Sequence, residues 1–137
     1  MKFAAALFFL IGTAPLPAAA AEAIPGSCEH ATAQQDVNFC IALKASAIGA
    51  ELERVFLAEI AHEKDMLASD PESLGKVLDA LQAGHSAWQV YARNQCASEG
   101  YMAMGGTLES QLYGECVLRL GKARIAELKQ LTEGLGN

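Results

Sequence analysis

The sequence predicts an all-α fold: three long antiparallel helices running up, down and up, with a short N-terminal helical arm, stapled by two disulfides. Three observations carry that prediction. Apolar residues recur three or four positions apart through three long tracts, the spacing that winds them onto one stripe of a helix. Turn-forming residues break the pattern at Ser69-Asp70-Pro71-Glu72 and at Gly105-Gly106, and no strand pattern follows the N-terminal run. Folding at those two breaks gathers all four cysteines at one end of the stack.

The N-terminus reads as an export signal. Met1-Lys2 gives a positive start, Phe3 to Ile11 is apolar, and Pro15 to Ala21 ends in small residues of the Ala-x-Ala kind. Cleavage is expected after Ala21, which leaves residues 22–137 as one domain, too short for two separate cores. The apolar run falls short of the roughly 20 residues a membrane-spanning helix needs. No cysteine stands at the cleavage point to take a lipid anchor. A soluble exported domain is expected, and in an oxidising space four cysteines read as two disulfides.

Pro25-Gly26-Ser27 is an irregular lead-in tied down at Cys28. A continuous helix would hold Cys28 and Cys40 roughly 18 Å apart, so a bond between them needs a bend. Asp36 to Asn38 is the expected place, where either polar residue could cap the helix that follows. From Phe39 to about Leu67, Ile41, Ala45, Ile48, Leu52, Val55, Phe56 and Ile60 form one apolar stripe. Glu51, Glu53, Arg54, Glu59, Glu63 and Lys64 are assigned mostly to the opposite face.

The next helix has the sharpest start in the chain. Pro71 suits a first turn, Ser69 or Asp70 can cap its free amides, and Glu72 sits at the positive end of the helix dipole. The stripe Leu78, Leu81, His85, Trp88 and Ala92 carries it to about Tyr101. After the Met102 to Gly106 loop, Thr107 can cap a third helix with Glu109 in its first turn. That helix runs to about Thr132 through Tyr113, Cys116, Val117 and Leu120, with Gly121 in its interior and Gly134 and Gly136 at its end.

Hairpin geometry tests the remaining groups. Cys96 and Cys116 lie equally far from Gly105-Gly106 and come level across the second hairpin. Cys28–Cys40 and Cys96–Cys116 are the expected bonds, with a Cys40–Cys96 cross-link as the open alternative. His62 and His85 stand roughly 12 Å apart along the axis and cannot share a metal. Zinc would also need closer Cys and His spacing than the chain offers, so neither a metal nor a cofactor is expected.

Catalytic signatures are missing. There is no nucleophile elbow, no phosphate-cradling glycine loop and no His-Glu-x-x-His. A narrow bundle offers little cleft for a carboxylate pair, so no catalytic residue is assigned and the chain is read as a non-enzyme. The formal net charge of −6, about −7 after loss of Lys2, disfavours nucleic acid and anionic membrane and favours cationic partners. Trp88 and Tyr91 are assigned to the core, and Arg124, which interrupts the stripe Val117, Leu120, Leu128 and Leu131, to a pair with a carboxylate or with helix-end carbonyls. Met102 and Met104, beside Tyr101 and the structural Gly105 and Gly106, suit either an adaptable contact surface or packing down onto the helix ends.

The array Cys28, Gln34, Asn38-x-Cys40, Glu51-Leu52, Trp88-x-x-Tyr91, Cys96, Gly105-Gly106-Thr107, Cys116 and Leu120-x-x-x-Arg124 resembles the LprI-type lysozyme inhibitor N-terminal domain family over nearly the whole mature chain. The resemblance implies a helical, disulfide-stapled exported domain and inhibition of lysozyme. The chain departs from the family pattern at Gly49, Glu53, Phe56, Ala92 and Gly121. These changes leave the cysteines and the apolar stripes in place.

The expected function is therefore a periplasmic or secreted binding protein that inhibits a lysozyme-like muramidase by covering its cleft. Its partner would be a protein, a basic lysozyme. Tyr101, Met102, Met104 and Glu109 on the Tyr101 to Ser110 loop are the expected contact residues, chosen on geometry. The alternative is an envelope structural or adaptor domain that touches no lysozyme.

Overall fold

A computed structural model gives the fold over residues 26–134. The expected leader, residues 1–21, lies outside the described residues. Helix α1 spans Gln34–Met66, α2 Pro71–Gly100 and α3 Leu108–Thr132, with single 3-10 turns at Gly26–Glu29 and Tyr101–Ala103. No strand occurs among the described residues. No helix among them is long and apolar enough to cross a membrane.

The connections follow local chemistry. At the start of α2 the Asp70 side chain accepts from the Ser73 amide at 3.1 Å and Pro71 occupies the first turn, as the sequence predicts. The cap pulls the Asp70 carboxyl below its ordinary range, through its hydrogen bonds to Ser73. At the end of α3, Gly134 takes φ +82°, a left-handed conformation that suits glycine and stops the helix.

Helix α1 does not start where the sequence suggests. It begins at Gln34, with Ala33 at the N-cap and no side-chain bond there, so the bend falls before Gln34 and not at Asp36 to Asn38. Asn38 has another task. Its amide donates to the Thr107 carbonyl at 2.8 Å, tying the start of α1 to the start of α3. Gln34 adds a second tie, donating to Gln111 at 2.8 Å. Thr107 stands at the N-cap of α3 but makes no side-chain cap bond.

Helices α1 and α3 run parallel in a fixed register. Gly114 lies on Ile41 and Gly121 on Ile48, and the Thr132 hydroxyl donates to the Glu59 carboxylate, a sequence separation of 73 that holds at all three pairs. The second contact lies seven residues beyond the first and the third eleven beyond the second, spacings that keep one seam facing another along both helices. A Cβ on Gly114 would stand 2.2 Å from Ile41 Cγ2, and one on Gly121 would stand 2.9 Å from Ile48 Cγ2. The two glycines are what let the backbones approach.

The core grows from this seam. Leu52, Val55 and Phe56 of α1 pack with Ile125 and Leu128 of α3, flanked by Ile48, Ile60, Leu81 and Trp88. Burying one such side chain is worth about 1.5–3 kcal/mol, against about 0–1 kcal/mol for an exposed ion pair such as Glu72–Lys76, so apolar packing sets the fold. Helix α3 is the hub. Both α1 and α2 lie along it, while α1 and α2 touch each other far less and leave an open seam between them.

Both expected disulfides are present, Cys28–Cys40 and Cys96–Cys116, with Cα separations of 5.5 and 5.3 Å. Three sequence expectations are corrected. Tyr91 is 53% exposed and lies outside the core, whereas Trp88 packs against it. Glu59, assigned to the solvent face, has no exposed surface at all. The described residues also show more concavity than expected, including open clefts of about 330, 500 and 490 Å³.

Candidate functional site

The tip between α2 and α3 is built from its glycines outward. Helix α2 ends at buried Gly100, where a Cβ would meet the Glu109 carbonyl at 3.3 Å, so the two helices close tightly. The chain then makes one 3-10 turn at Tyr101–Ala103, and the Gly106 amide donates back to the Ala103 carbonyl at 3.0 Å. Gly105 takes φ +78°, a backbone conformation costly for any residue with a Cβ. Its amide donates to Glu109 Oε2 at 2.9 Å. The Glu109 carboxylate therefore braces the loop from the first turn of α3, where the helix dipole also favours a negative charge.

The base of the tip is fixed on every side. The Cys96–Cys116 bond is buried beneath it. Arg119 of α3 pairs with Glu99 of α2 at 2.6 Å, and Gln95 donates to the same carboxylate at 3.0 Å. These bonds, that from Gln95 first, hold the Glu99 carboxyl below its ordinary range. Asn38 clamps the far side at Thr107.

What this frame presents is apolar. Met102 is 85% exposed, Met104 71% and Tyr101 57%, with Leu108 and Tyr113 also exposed. A cleft of about 500 Å³ runs under the tip, bordered by Tyr101, Tyr113, Gly100 and Glu109. Tyr101, Met102 and Met104 are thus all exposed on the tip, and Glu109 braces the loop that carries them. Sequence reading missed Tyr113, which borders the cleft with Tyr101, the exposed Leu108, and Asn38, which ties α1 to Thr107. Tyr113 follows the helical stripe spacing, and nothing in that pattern separates it from a core residue.

The other singled-out residues lie elsewhere. Arg124 pairs with Glu127 on its own helix at 3.0 Å. His85 is buried on the seam between α1 and α2, stacked on Phe56 with ring centroids 3.9 Å apart, and its Nε2 lies 3.2 Å from Gln89 Nε2 and 3.9 Å from Glu53. Burial pushes the imidazole pKa down, Glu53 pulls it up and Arg124 pushes it down further. No group of three His, Cys, Asp or Glu side chains placed to hold a metal ion occurs among the described residues.

Comparison with known proteins fits this architecture. The family described as "Lysozyme inhibitor LprI" matches residues 27–128, a span that includes all four cysteines, the tip and most of α3. An uncharacterized protein of Rhizobium meliloti (strain 1021) is 34% identical over 144 residues, covering 100% of both chains. No solved structure matches the chain. With its cysteine pairs, glycine tip and helical stripes all inside the matched span, the chain belongs to the LprI lysozyme inhibitor family.

Proposed function

We propose that this protein is exported and inhibits a lysozyme-like muramidase by inserting its α2–α3 tip into the enzyme's substrate groove. One observation carries the reading: a frame held by a buried disulfide and three polar ties offers Met102, Met104 and Tyr101 to solvent, although burying such side chains would be favourable. An ordered loop of this kind loses little conformational entropy on docking, so more of the apolar contact becomes affinity. The two disulfides suit an oxidising compartment outside the cytosol.

Charge supports the same partner. The chain carries a formal charge of −6, and lysozymes are often strongly basic, so the long-range field speeds encounter before the tip engages. In a turbidimetric assay on bacterial cell walls, purified protein at ~1–10 μM slows a basic lysozyme, and higher salt reduces the effect by slowing association. Unchanged clearing rates with several lysozyme types, together with retention of an envelope component on the folded protein, would favour the adaptor reading instead.

A further inference from the structure

Far from the tip, a cleft bordered by α1, α2 and α3 holds buried polar atoms that are left without partners. Glu59 of α1 has no exposed surface; one carboxylate oxygen accepts from Thr132, and the other, Oε1, has no hydrogen-bond partner among the described residues. Arg124 of α3 spends Nη1 on Glu127, while its buried Nε donor is likewise unpartnered. Leaving either group unsatisfied costs about 1–3 kcal/mol, so the position is unfavourable without something to complete it. Both residues line the same cleft, about 490 Å³ in volume, together with the Glu63 carboxylate and the apolar Val77, Leu81 and Leu131.

The required chemistry can be read from those groups. Glu59 needs a donor, Arg124 needs an acceptor, and the two do not pair with each other. Glu63, one helical turn from Glu59, adds a second negative charge beside the donor position. The wall formed by Val77, Leu81 and Leu131 suits a short aliphatic chain. We propose that this cleft binds an aliphatic α-amino acid, with its ammonium on Glu59 and Glu63, its carboxylate on Arg124 and its side chain against Val77, Leu81 and Leu131. Both orphaned atoms are then satisfied by one zwitterion. A lone amine or a lone carboxylate satisfies only one. Leu131, 38% exposed, borders the cleft. The site lies at the opposite end of the bundle from the tip, so it stands or falls independently of muramidase inhibition.

Amide NMR titration of the full disulfide-bonded protein tests this, with L-leucine as probe and isopentylamine and 4-methylpentanoate as its two halves. L-Leucine is expected to shift the amides around Ala80, Leu81 and Leu131 saturably in the ~0.1–10 mM range, with each half binding about tenfold or more weaker. Glu59→Gln and Arg124→Lys each weaken leucine about tenfold or more, the second by removing Nε while keeping the charge. Ala80 is an exposed wall residue, so Ala80→Phe fills the cleft without touching the core and abolishes binding even where a buried variant fails to fold. Absence of saturable shifts in the wild type overturns the proposal and leaves a bridging solvent molecule as the occupant. Equal binding of amine and amino acid, or leucine binding that survives Ala80→Phe, overturns it too.

Discussion

Gly114 lies against Ile41 so closely that a Cβ built on it would stand 2.2 Å from the isoleucine Cγ2. No real contact is that short, so the α1–α3 seam exists in its present form because position 114 has no side chain. Gly114→Ala therefore forces the helices apart and destabilises by about 2 kcal/mol or more, since overpacking outweighs the alanine helix propensity of about 1 kcal/mol. Gly121→Ala, at 2.9 Å from Ile48, acts in the same direction and less strongly. Gly84→Ala meets open space and stabilises by about 0.5–1 kcal/mol. Urea unfolding of the three variants checks the ordering, and combining Gly114→Ala with Ile41→Ala recovers part of the loss.

The Cys96–Cys116 bond closes the hairpin that carries the tip, with a sequence separation of 20. Replacing both cysteines by serine lowers stability by about 3 kcal/mol on the loop-entropy account. It also frees the tip, so hydrogen exchange at Met102 to Thr107 rises more than exchange in the Leu52 to Phe56 part of the core. Equal increases in both regions would mean that the bond does not hold the tip in particular.

Burial lowers the pKa of His85 in the folded state, whereas in the unfolded chain it titrates near the ordinary value of about 6.5. Below that pH the unfolded chain binds the proton more readily than the folded one. Stability is therefore fully present above about pH 6.5 and falls as pH drops below it. Denaturant midpoints at pH 7.5 and pH 5.5 measure the loss, and in His85→Gln the difference between them shrinks. Glu51, Asp70 and Glu99 have lowered carboxyl pKa values, and their contributions disappear only at lower pH, as it falls from about 4 through the folded values.

Asp70 caps α2 through the Ser73 amide. Asp70→Ala removes this cap and lowers the melting temperature, and Asp70→Ser recovers much of the loss; thermal unfolding of both variants checks the pair.

Much of this was legible in the sequence because it rests on local chemistry or on spacing. Asp70-Pro71 fixed the start of α2, the Gly105-Gly106 break fixed the hairpin, and equal distances from that break paired Cys96 with Cys116. Glu59 was misread because its charge was weighed above its position. It lies seven residues after Leu52 and four after Val55, on the apolar stripe, and it is buried with them. Tyr91 misled in the opposite way, since an aromatic three residues from Trp88 suggests core, yet it falls at the edge of the stripe that faces α3. Asn38 and Glu109 have cap-forming side chains, but their partners, Thr107 and Gly105, are set by how the helices and loop pack. No spacing rule within α1 reveals a bond to the start of α3. In the sequence Gly121 reads only as an interruption of α3 and Gly114 carries no signal, because their partners Ile48 and Ile41 lie on another helix.

The proposed inhibition is tested most directly by Tyr101→Ala, Met102→Ala and Met104→Ala combined in one protein, with Glu109 left in place to brace the loop. Inhibition of a basic lysozyme by this variant is expected to weaken about tenfold or more, while its melting temperature and both disulfides match the wild type. Undiminished inhibition by the folded triple variant would contradict the account.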